Sequence, residues 1–179
     1  MTGQSVPQPS TDRIVDPRNH PLVVGLVPGQ PELVLRTAAR WSRTLGAALY
    51  CAYADPSRFT VEEFDDGTVR HAPVDPDSVE DSWKARERDI EDFVATVLRD
   101  EGVEWHTRYL AGRPDRALTH LARAVDASAF VVGTRAPGVG ARVRELVEGS
   151  VAVHLSHHQH RPVLVVPLEV VDWKVTVWR

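Results

Sequence analysis

The stretch from Ala129 to Pro167 decides the fold of this chain; it reads AFVVGT (129–134), RAPGVGARVRELVE (135–148), GSVAVHLSHHQH (149–160) and RPVLVVP (161–167). A short apolar run, a glycine-bearing loop, a Gly-Ser pair that opens a helical segment and a second apolar run predict a strand–loop–helix–strand unit. The loop places small residues and backbone N–H groups where a strand ends and a helix begins. Parallel α/β sheets bind phosphate at such a place, so the stretch predicts an anion site at a sheet edge.

The upstream residues have the pattern of the rest of such a sheet. Nearly unbroken apolar runs are typical of strands that are buried on both faces, and a 3.6-residue apolar period is typical of the helices between them. Strands that alternate with helices imply a parallel sheet, here with five core strands. The predicted strands upstream of Ala129 are residues 21–27, 47–54 and 103–111, and the predicted helices start at Pro31, Trp83 and Pro114.

Three segments fall outside this alternation. Residues 1–19 are polar and contain prolines, which predicts a disordered arm before the domain at 20–168. Residues 55–82 hold nine acidic residues against two arginines and predict a long acidic surface loop, with one hairpin around Asp66-Gly67. Residues 169–179 alternate apolar and polar side chains, which predicts a C-terminal strand that covers the sheet edge or pairs with a second subunit.

Composition limits the class of protein. The formal net charge of −4 argues against a general nucleic-acid binder, and no apolar run approaches the ~20 residues of a membrane helix. The single cysteine, Cys51, excludes an internal disulfide and favours a reducing compartment. The N-terminus lacks the apolar core of a signal peptide. We therefore expect a cytoplasmic protein whose partners include neither nucleic acid nor membrane.

Three segments, in this order, resemble the universal stress protein family from about Pro21 to Leu168. They are LVVGLVPGQPELVLRTAARWSRTLGAAL (22–49), YLAGRPDRALTHLARAVDASAFVVGT (109–134), and the final VVGT with its glycine loop, GSVAVHL and RPVLVVP. The resemblance implies a five-stranded parallel sheet of order 3-2-1-4-5 with helices on both faces. The order then reverses between the first and fourth strands, and the loops after Val27 and Gly133 flank a crevice where such sheets bind ligands.

ATP-binding members of the family carry Gly, two residues, Gly, nine residues and then Gly-Ser or Gly-Thr. In this chain Gly133 matches the first glycine and Gly149-Ser150 the last pair, but Ala136 stands at the second glycine and twelve residues follow it. Those members also have an aspartate just after the first strand, where this chain has Val27. The resemblance implies ATP or a related adenine nucleotide as ligand. The candidate nucleotide-binding residues are Val27, Gly133, Thr134, Arg135, Gly138, Gly140, Arg142, Gly149 and Ser150.

The loop residues have a physical reason to hold phosphate. Gly138 and Gly140 permit positive φ and let backbone N–H groups approach phosphate oxygens. Ser150 can cap the helix or donate to a phosphate, and Arg135, Arg142 and Arg144 can supply countercharge. The alternative is a turn that needs glycine only for its geometry, followed by a capped helix and solvent-facing arginines.

Three functions remain open at this stage. The first is a stress-response protein that binds nucleotide and responds through conformation or association; the second is a dimeric interaction module of the same fold without nucleotide, which Val27 and Ala136 favour. The third, a slow ATPase, ranks last because no general base or metal-binding carboxylate lies near the loop in sequence. We expect no enzyme and no structural metal, since His154 and His158 share a helical face but no nearby cysteine or carboxylate completes a ligand set.

Overall fold

The computed structural model describes residues 10–77, 82–134 and 151–168, and its core is a five-stranded parallel sheet. Described helices pack on both of its faces, and a two-stranded hairpin is inserted after the second strand. The strands are β1 Leu22–Gly25, β2 Leu49–Asp55, β3 Arg58–Glu63, β4 Val69–Pro73, β5 Trp105–Ala111, β6 Ala129–Gly133 and β7 Val163–Val166. The helices are a 3-10 helix Thr11–Arg13, α1 Leu33–Leu45, α2 Ser82–Leu98, α3 Pro114–Ala124 and α4 Val151–His158.

The sheet has the order β5-β2-β1-β6-β7, which confirms the expected 3-2-1-4-5 arrangement of the five core strands. Alternate residues of β1 face opposite layers: Val24 packs with the core that α1 and α2 cover, and Val23 packs with the core under α3 and α4. Both valines are fully buried. The unbroken apolar runs of the sequence arise because each central strand has a helical layer on either side.

The first helix begins later than the sequence predicted. Pro31 was expected at the first helical position, but α1 starts at Leu33 and Glu32 occupies the N-cap position. The residues before it are used in a turn, in which the Gln30 N–H donates to the Val27 carbonyl oxygen at 3.2 Å. The predicted end is confirmed, because Gly46 closes the helix with a left-handed φ of 63°.

The acidic segment after β2 contains the hairpin that was predicted around Asp66-Gly67. Strands β3 and β4 are antiparallel and are joined by a turn at 64–68, where the Gly67 N–H donates to the Phe64 carbonyl oxygen. The segment is more ordered than a surface loop, because one face of the hairpin packs on the domain. There the Val69 side chain joins the core under α3, and the Arg108 guanidinium donates to the Asp66 carbonyl oxygen at 2.8 Å.

Two further segments of the predicted organisation are only partly described. The arm predicted to be disordered, 1–19, is described from residue 10, where Thr11–Arg13 forms a 3-10 turn. The C-terminal strand predicted for 169–179 lies outside the described residues. Within the described ranges, none of the helices has the length and apolar character needed to cross a membrane.

We predict that Gly67→Ala lowers the free energy of unfolding by about 2 kcal/mol or more. Gly67 has a φ of +80°, and an added Cβ would overlap with the Leu121 Cδ1 atom, which belongs to a buried core side chain. The matched control is Gly102→Ala, where φ is +62° but no heavy atom of the described residues lies within 4 Å of the new Cβ. The control should cost about 1 kcal/mol, and urea denaturation measures both. If both variants lost the same free energy of unfolding, the hairpin tip at Gly67 would not pack closely against α3.

Candidate functional site

The strand order reverses between β1 and β6. The chain leaves β1 toward α1 on one face, whereas α4 lies on the opposite face. In open α/β sheets a reversal of this kind places a ligand-binding crevice at the carboxyl edge of the two strands. Gly25 pairs with Val132 of β6 and with Ala52 of β2. Two residues further along, Val27 is thus level with the start of the loop after β6.

Of the nine predicted site residues, the structure describes Val27, Gly133 and Thr134, and it brings all three to this edge. The Thr134 N–H donates to the Val166 carbonyl oxygen at 2.9 Å, and its Oγ1 accepts from the Leu168 N–H at 2.8 Å. Among the described residues, no acceptor takes the hydroxyl proton of Thr134. The other six predicted residues lie outside the described residues: Arg135, Gly138, Gly140, Arg142, Gly149 and Ser150.

Gly133 has a packing role that does not depend on any ligand. A Cβ at this position would lie 2.9 Å from Leu168 Cδ1 and 3.0 Å from Val34 Cγ2. Both distances are tighter than most Cβ contacts in proteins, so a side chain here would force Leu168 and Val34 to shift, and the close approach of α1 and residue 168 to β6 favours glycine. The first glycine of the loop motif therefore has a structural reason to be glycine in this chain.

The loop after β1 contains a buried amide that the sequence gave no reason to single out. The Gln30 side chain folds back along its own loop, and its Oε1 accepts from the Val27 N–H at 3.2 Å. Gln30 is 6% exposed, and its Nε2 has no hydrogen-bond partner among the described residues. Leaving such a donor buried and unpaired costs about 1–3 kcal/mol. A native protein carries an unpaired buried donor for a reason, so this atom needs a partner or a function.

Asp55 ends β2 at the same edge and is the most densely bonded carboxylate of the described residues. Its Oδ1 accepts from the Ser57 N–H and hydroxyl at 2.9 and 2.6 Å, and its Oδ2 accepts from the Tyr109 hydroxyl at 2.5 Å and from Arg86 at 2.8 Å. Burial opposes ionisation, but the hydrogen bonds from Ser57 and Tyr109 and the charge of Arg86 outweigh it, so the pKa of Asp55 lies below its ordinary value. Asp55 thereby ties β2, β5 and α2 together.

Beside Asp55, a group of aromatic and basic side chains anchors the hairpin. Arg58 is buried; its Nε donates to His71 Nδ1 at 2.7 Å, and its guanidinium lies 5.3 Å from the centre of the Trp83 ring. Burial, and then the charge of Arg58, lower the pKa of His71. The sequence analysis missed these contacts because they join residues from three separate elements. The position of Asp55, directly after a buried strand, was the one signal available.

Among the described residues, the histidines of α4 do not belong to a metal-binding group. The rings of His154 and His158 are stacked with their centres 6.1 Å apart. Within 10–77, 82–134 and 151–168, no group of three or more His, Cys, Asp or Glu side chains is arranged to hold a metal ion.

A family model described as the universal stress protein family matches residues 21–167. The chain belongs to the universal stress protein family. Comparison with curated proteins found no match.

Solved universal stress proteins share the fold of this family member. The Archaeoglobus fulgidus protein in complex with dAMP is 23% identical, with a TM-score of 0.56 over 82% of this chain and 96% of that one. A family protein from Burkholderia pseudomallei is 24% identical, with a TM-score of 0.57 over 83% and 96%. A universal stress protein in complex with cAMP is 21% identical, with a TM-score of 0.53 over 85% and 99%. At these identities the likeness shows the fold.

We predict that Asp55→Asn lowers the free energy of unfolding at pH 7 by about 2–3 kcal/mol, less than for a fully buried ion pair because Arg86 is partly exposed. The pKa of Asp55 is lowered on folding, so its contribution is complete above the unfolded pKa and is lost as pH falls through the folded pKa. Urea denaturation at pH 7 and pH 3 should therefore show the difference between wild type and variant shrinking in acid.

The control for this prediction is Glu62→Gln, which removes an exposed carboxylate that pairs with Arg70 at 3.0 Å. Exposed ion pairs contribute little, so its loss should stay below about 1 kcal/mol. An Asp55→Asn variant as stable as this control would show that the buried carboxylate does not hold the three elements together.

Proposed function

We propose that this universal stress protein binds an adenine nucleotide, ATP or a close relative, in the crevice between β1 and β6. The observation that carries the proposal is the reversal of strand order at this crevice, in a fold whose solved examples include complexes with dAMP and cAMP. The proposed output is a ligand-dependent change in conformation or association during stress, without rapid chemistry. We place this activity in the cytoplasm, in keeping with the single free cysteine, Cys51.

The phosphates are assigned to the segment from Gly133 to Ser150. Thr134 supports the assignment, because it lies at the start of this segment, its oxygen accepts from the Leu168 N–H, and no described residue accepts its hydroxyl proton. The remaining contacts are proposed from sequence: backbone N–H groups at Gly138 and Gly140, countercharge from Arg135 and Arg142, and the helix entrance at Gly149-Ser150. Such amides and a helix N-terminus favour a negative ligand.

The nucleoside is assigned to the loop after β1, with Gln30 in place of the missing aspartate. The Gln30 carboxamide lies against the Val27 N–H, at the level where the loop after β6 begins. Its Nε2 offers N–H donors that no described residue accepts. Both the purine ring and the ribose carry atoms that accept hydrogen bonds from such N–H donors. A ligand that accepts from Nε2 would remove the free-energy cost of the unpaired amide.

A second candidate function is a dimeric interaction module that binds no nucleotide. It is favoured by the hydrogen bond of the Val27 N–H. This group could otherwise donate to a ligand, but it already donates to Oε1 of Gln30 in the same chain. The half-exposed Val165 on the outer strand β7 supports a pairing edge for a second copy. Under this function the crevice is closed by its own loop.

We predict that the purified protein binds ATP in titration calorimetry and that Gly149→Asp weakens this binding at least about tenfold, because a carboxylate near the phosphates repels them. The matched control is Gly149→Asn, which has the same shape without the charge and should retain more affinity. If the wild-type protein neither binds ATP nor releases an adenine nucleotide on denaturation, the nucleotide proposal is wrong and the interaction module takes its place.

We predict that Gln30→Glu lowers the affinity for ATP by about tenfold, since it replaces the N–H donors of Nε2 by an acceptor at nearly constant shape. Glu32→Gln is the control, because Glu32 is exposed in the same loop and pairs with Arg36 on the surface. Affinities are compared at a temperature where circular dichroism shows all proteins to be folded. ATP binding that is unchanged in Gln30→Glu would place the nucleoside elsewhere, while leaving the nucleotide proposal intact.

A further inference from the structure

The hairpin β3–β4 has two faces of opposite character. Cross-strand pairing sets Thr60 against His71 on the inner face, toward the domain, and Phe59 against Ala72 on the outer face. A register shift between Thr60 and Glu62 leaves Val61 as an extra, bulged residue, and it too is exposed. Because side chains alternate across a strand, the outer face consists of Phe59, Val61, Glu62, Arg70, Ala72 and Val74.

The outer face is apolar where a solvent-facing strand is usually polar. Phe59 and Val61 are each 49% exposed and Val74 is 61% exposed. With Phe64 of the turn, they make up four of the nine large hydrophobic side chains that are exposed in the described part of the chain. An exposed apolar patch of this kind, surrounded by polar side chains, marks a surface that binds another molecule.

The surroundings of the outer face are acidic. The described residues 58–77 expose carboxylates at both ends of the hairpin: Glu62, Glu63, Asp65, Asp66, Asp75 and Asp77. Of the two arginines in this segment, Arg58 is buried and Arg70 is paired with Glu62. The charge around the apolar patch is therefore negative, which attracts cationic partners and repels anionic ones such as nucleic acid and acidic lipid surfaces.

The inner side of the hairpin packs on the domain and so fixes the position of the outer face. On the inner side of the same strands, Arg58 and His71 contact each other and Trp83 of α2, and Val69 packs into the core. A strand of five or six residues is about 17–20 Å long, which matches three to four turns of an α-helix. The outer face offers apolar side chains and not backbone groups, and a helix that packs across it makes contact with those side chains.

We propose that the outer face of the hairpin docks a basic amphipathic helix of another protein. The helix places an apolar stripe on Phe59, Val61 and Val74, and its lysines or arginines pair with the carboxylates at the two ends of the hairpin. This interaction is separate from nucleotide binding, since none of its residues lies in the loops after β1 and β6.

The test uses the full chain and a fluorescein-labelled probe, a peptide of about 14 residues in which leucine and lysine follow the helical period. A second probe has glutamate in place of every lysine. Fluorescence anisotropy should show binding of the lysine peptide and at least about tenfold weaker binding of the glutamate peptide. The double variant Phe59→Ser, Val61→Ser should bind the lysine peptide about tenfold more weakly or worse. The double variant Asp65→Asn, Asp77→Asn should lose less affinity for this peptide, and its binding should depend less on salt concentration.

The matched control is Trp41→Ser, which removes an aromatic side chain that is also 49% exposed but lies on α1. This variant should bind the lysine peptide as wild type does. Four results would overturn the proposal. The first is equal affinity for both peptides. The second is an equal loss of affinity in the Trp41 variant. The third is no binding by wild type; if the double serine variant also converts a dimer to a monomer in ultracentrifugation, the face belongs to a second copy. The fourth is binding only after residues 169–179 are removed, which would mean that the chain covers the face itself.

Discussion

Burial of β1 on both faces is the constraint from which the rest of the domain follows. Val23 and Val24 point to opposite sides of the sheet, and each is completely removed from water. A strand of this kind is stable only if apolar helices cover both sides, so α1 and α2 lie on one face and α3 and α4 on the other. Because β2 and β6 flank β1 on either side, the strand order reverses next to it, and the crevice at the carboxyl edge is a consequence of this packing.

The hairpin shows how an insertion is joined to such a sheet without disturbing it. The chain leaves β2 at Asp55, whose carboxylate is held by Ser57, Tyr109 and Arg86. Arg58 then begins the hairpin as a buried cation against His71 and Trp83. Each buried charge has bonding partners close by, as burial in a medium of low polarity demands. The polar contacts at the base thus hold one face of the hairpin to the domain and leave the apolar outer face to solvent.

The two loops of the crevice contain one residue, Gly133, whose identity packing explains, and one, Gln30, whose buried amide packing does not explain. A side chain at Gly133 would crowd Leu168 and Val34, so packing favours glycine here and a glycine in this motif is not by itself a sign of a ligand. Gln30 presents the opposite case, since its carbonyl oxygen organises the loop while its amide nitrogen is buried without a partner in the described structure. A group that lowers stability in the free protein is more informative about function than one that packing explains.

Much of the fold was predictable from the sequence, because burial on two faces leaves unbroken apolar runs that can be read directly. The strands begin and end within about two residues of those runs, and the resemblance supplied their order. The start of α1 was misplaced because Pro31 favours a first helical turn, whereas the turn from Val27 to Gln30 takes up the preceding residues. The acidic composition of 55–82 predicted a surface loop. It gave no sign that Val69, Arg58 and His71 pack against the domain, because their positions depend on partners in other elements.

The sequence by itself determined the strands and the helices between them, since these depend on local periodicity and on the burial of apolar side chains, and its resemblance to the family implied the strand order and hence the place of a crevice. Only the tertiary structure decided the roles of single residues there. It showed that packing favours glycine at Gly133, that the Gln30 amide nitrogen is buried with no partner among the described residues, and that Asp55 joins three elements. Such roles arise from contacts between residues far apart in the chain. No local sequence pattern encodes which side chains come within hydrogen-bond distance of each other when the chain folds.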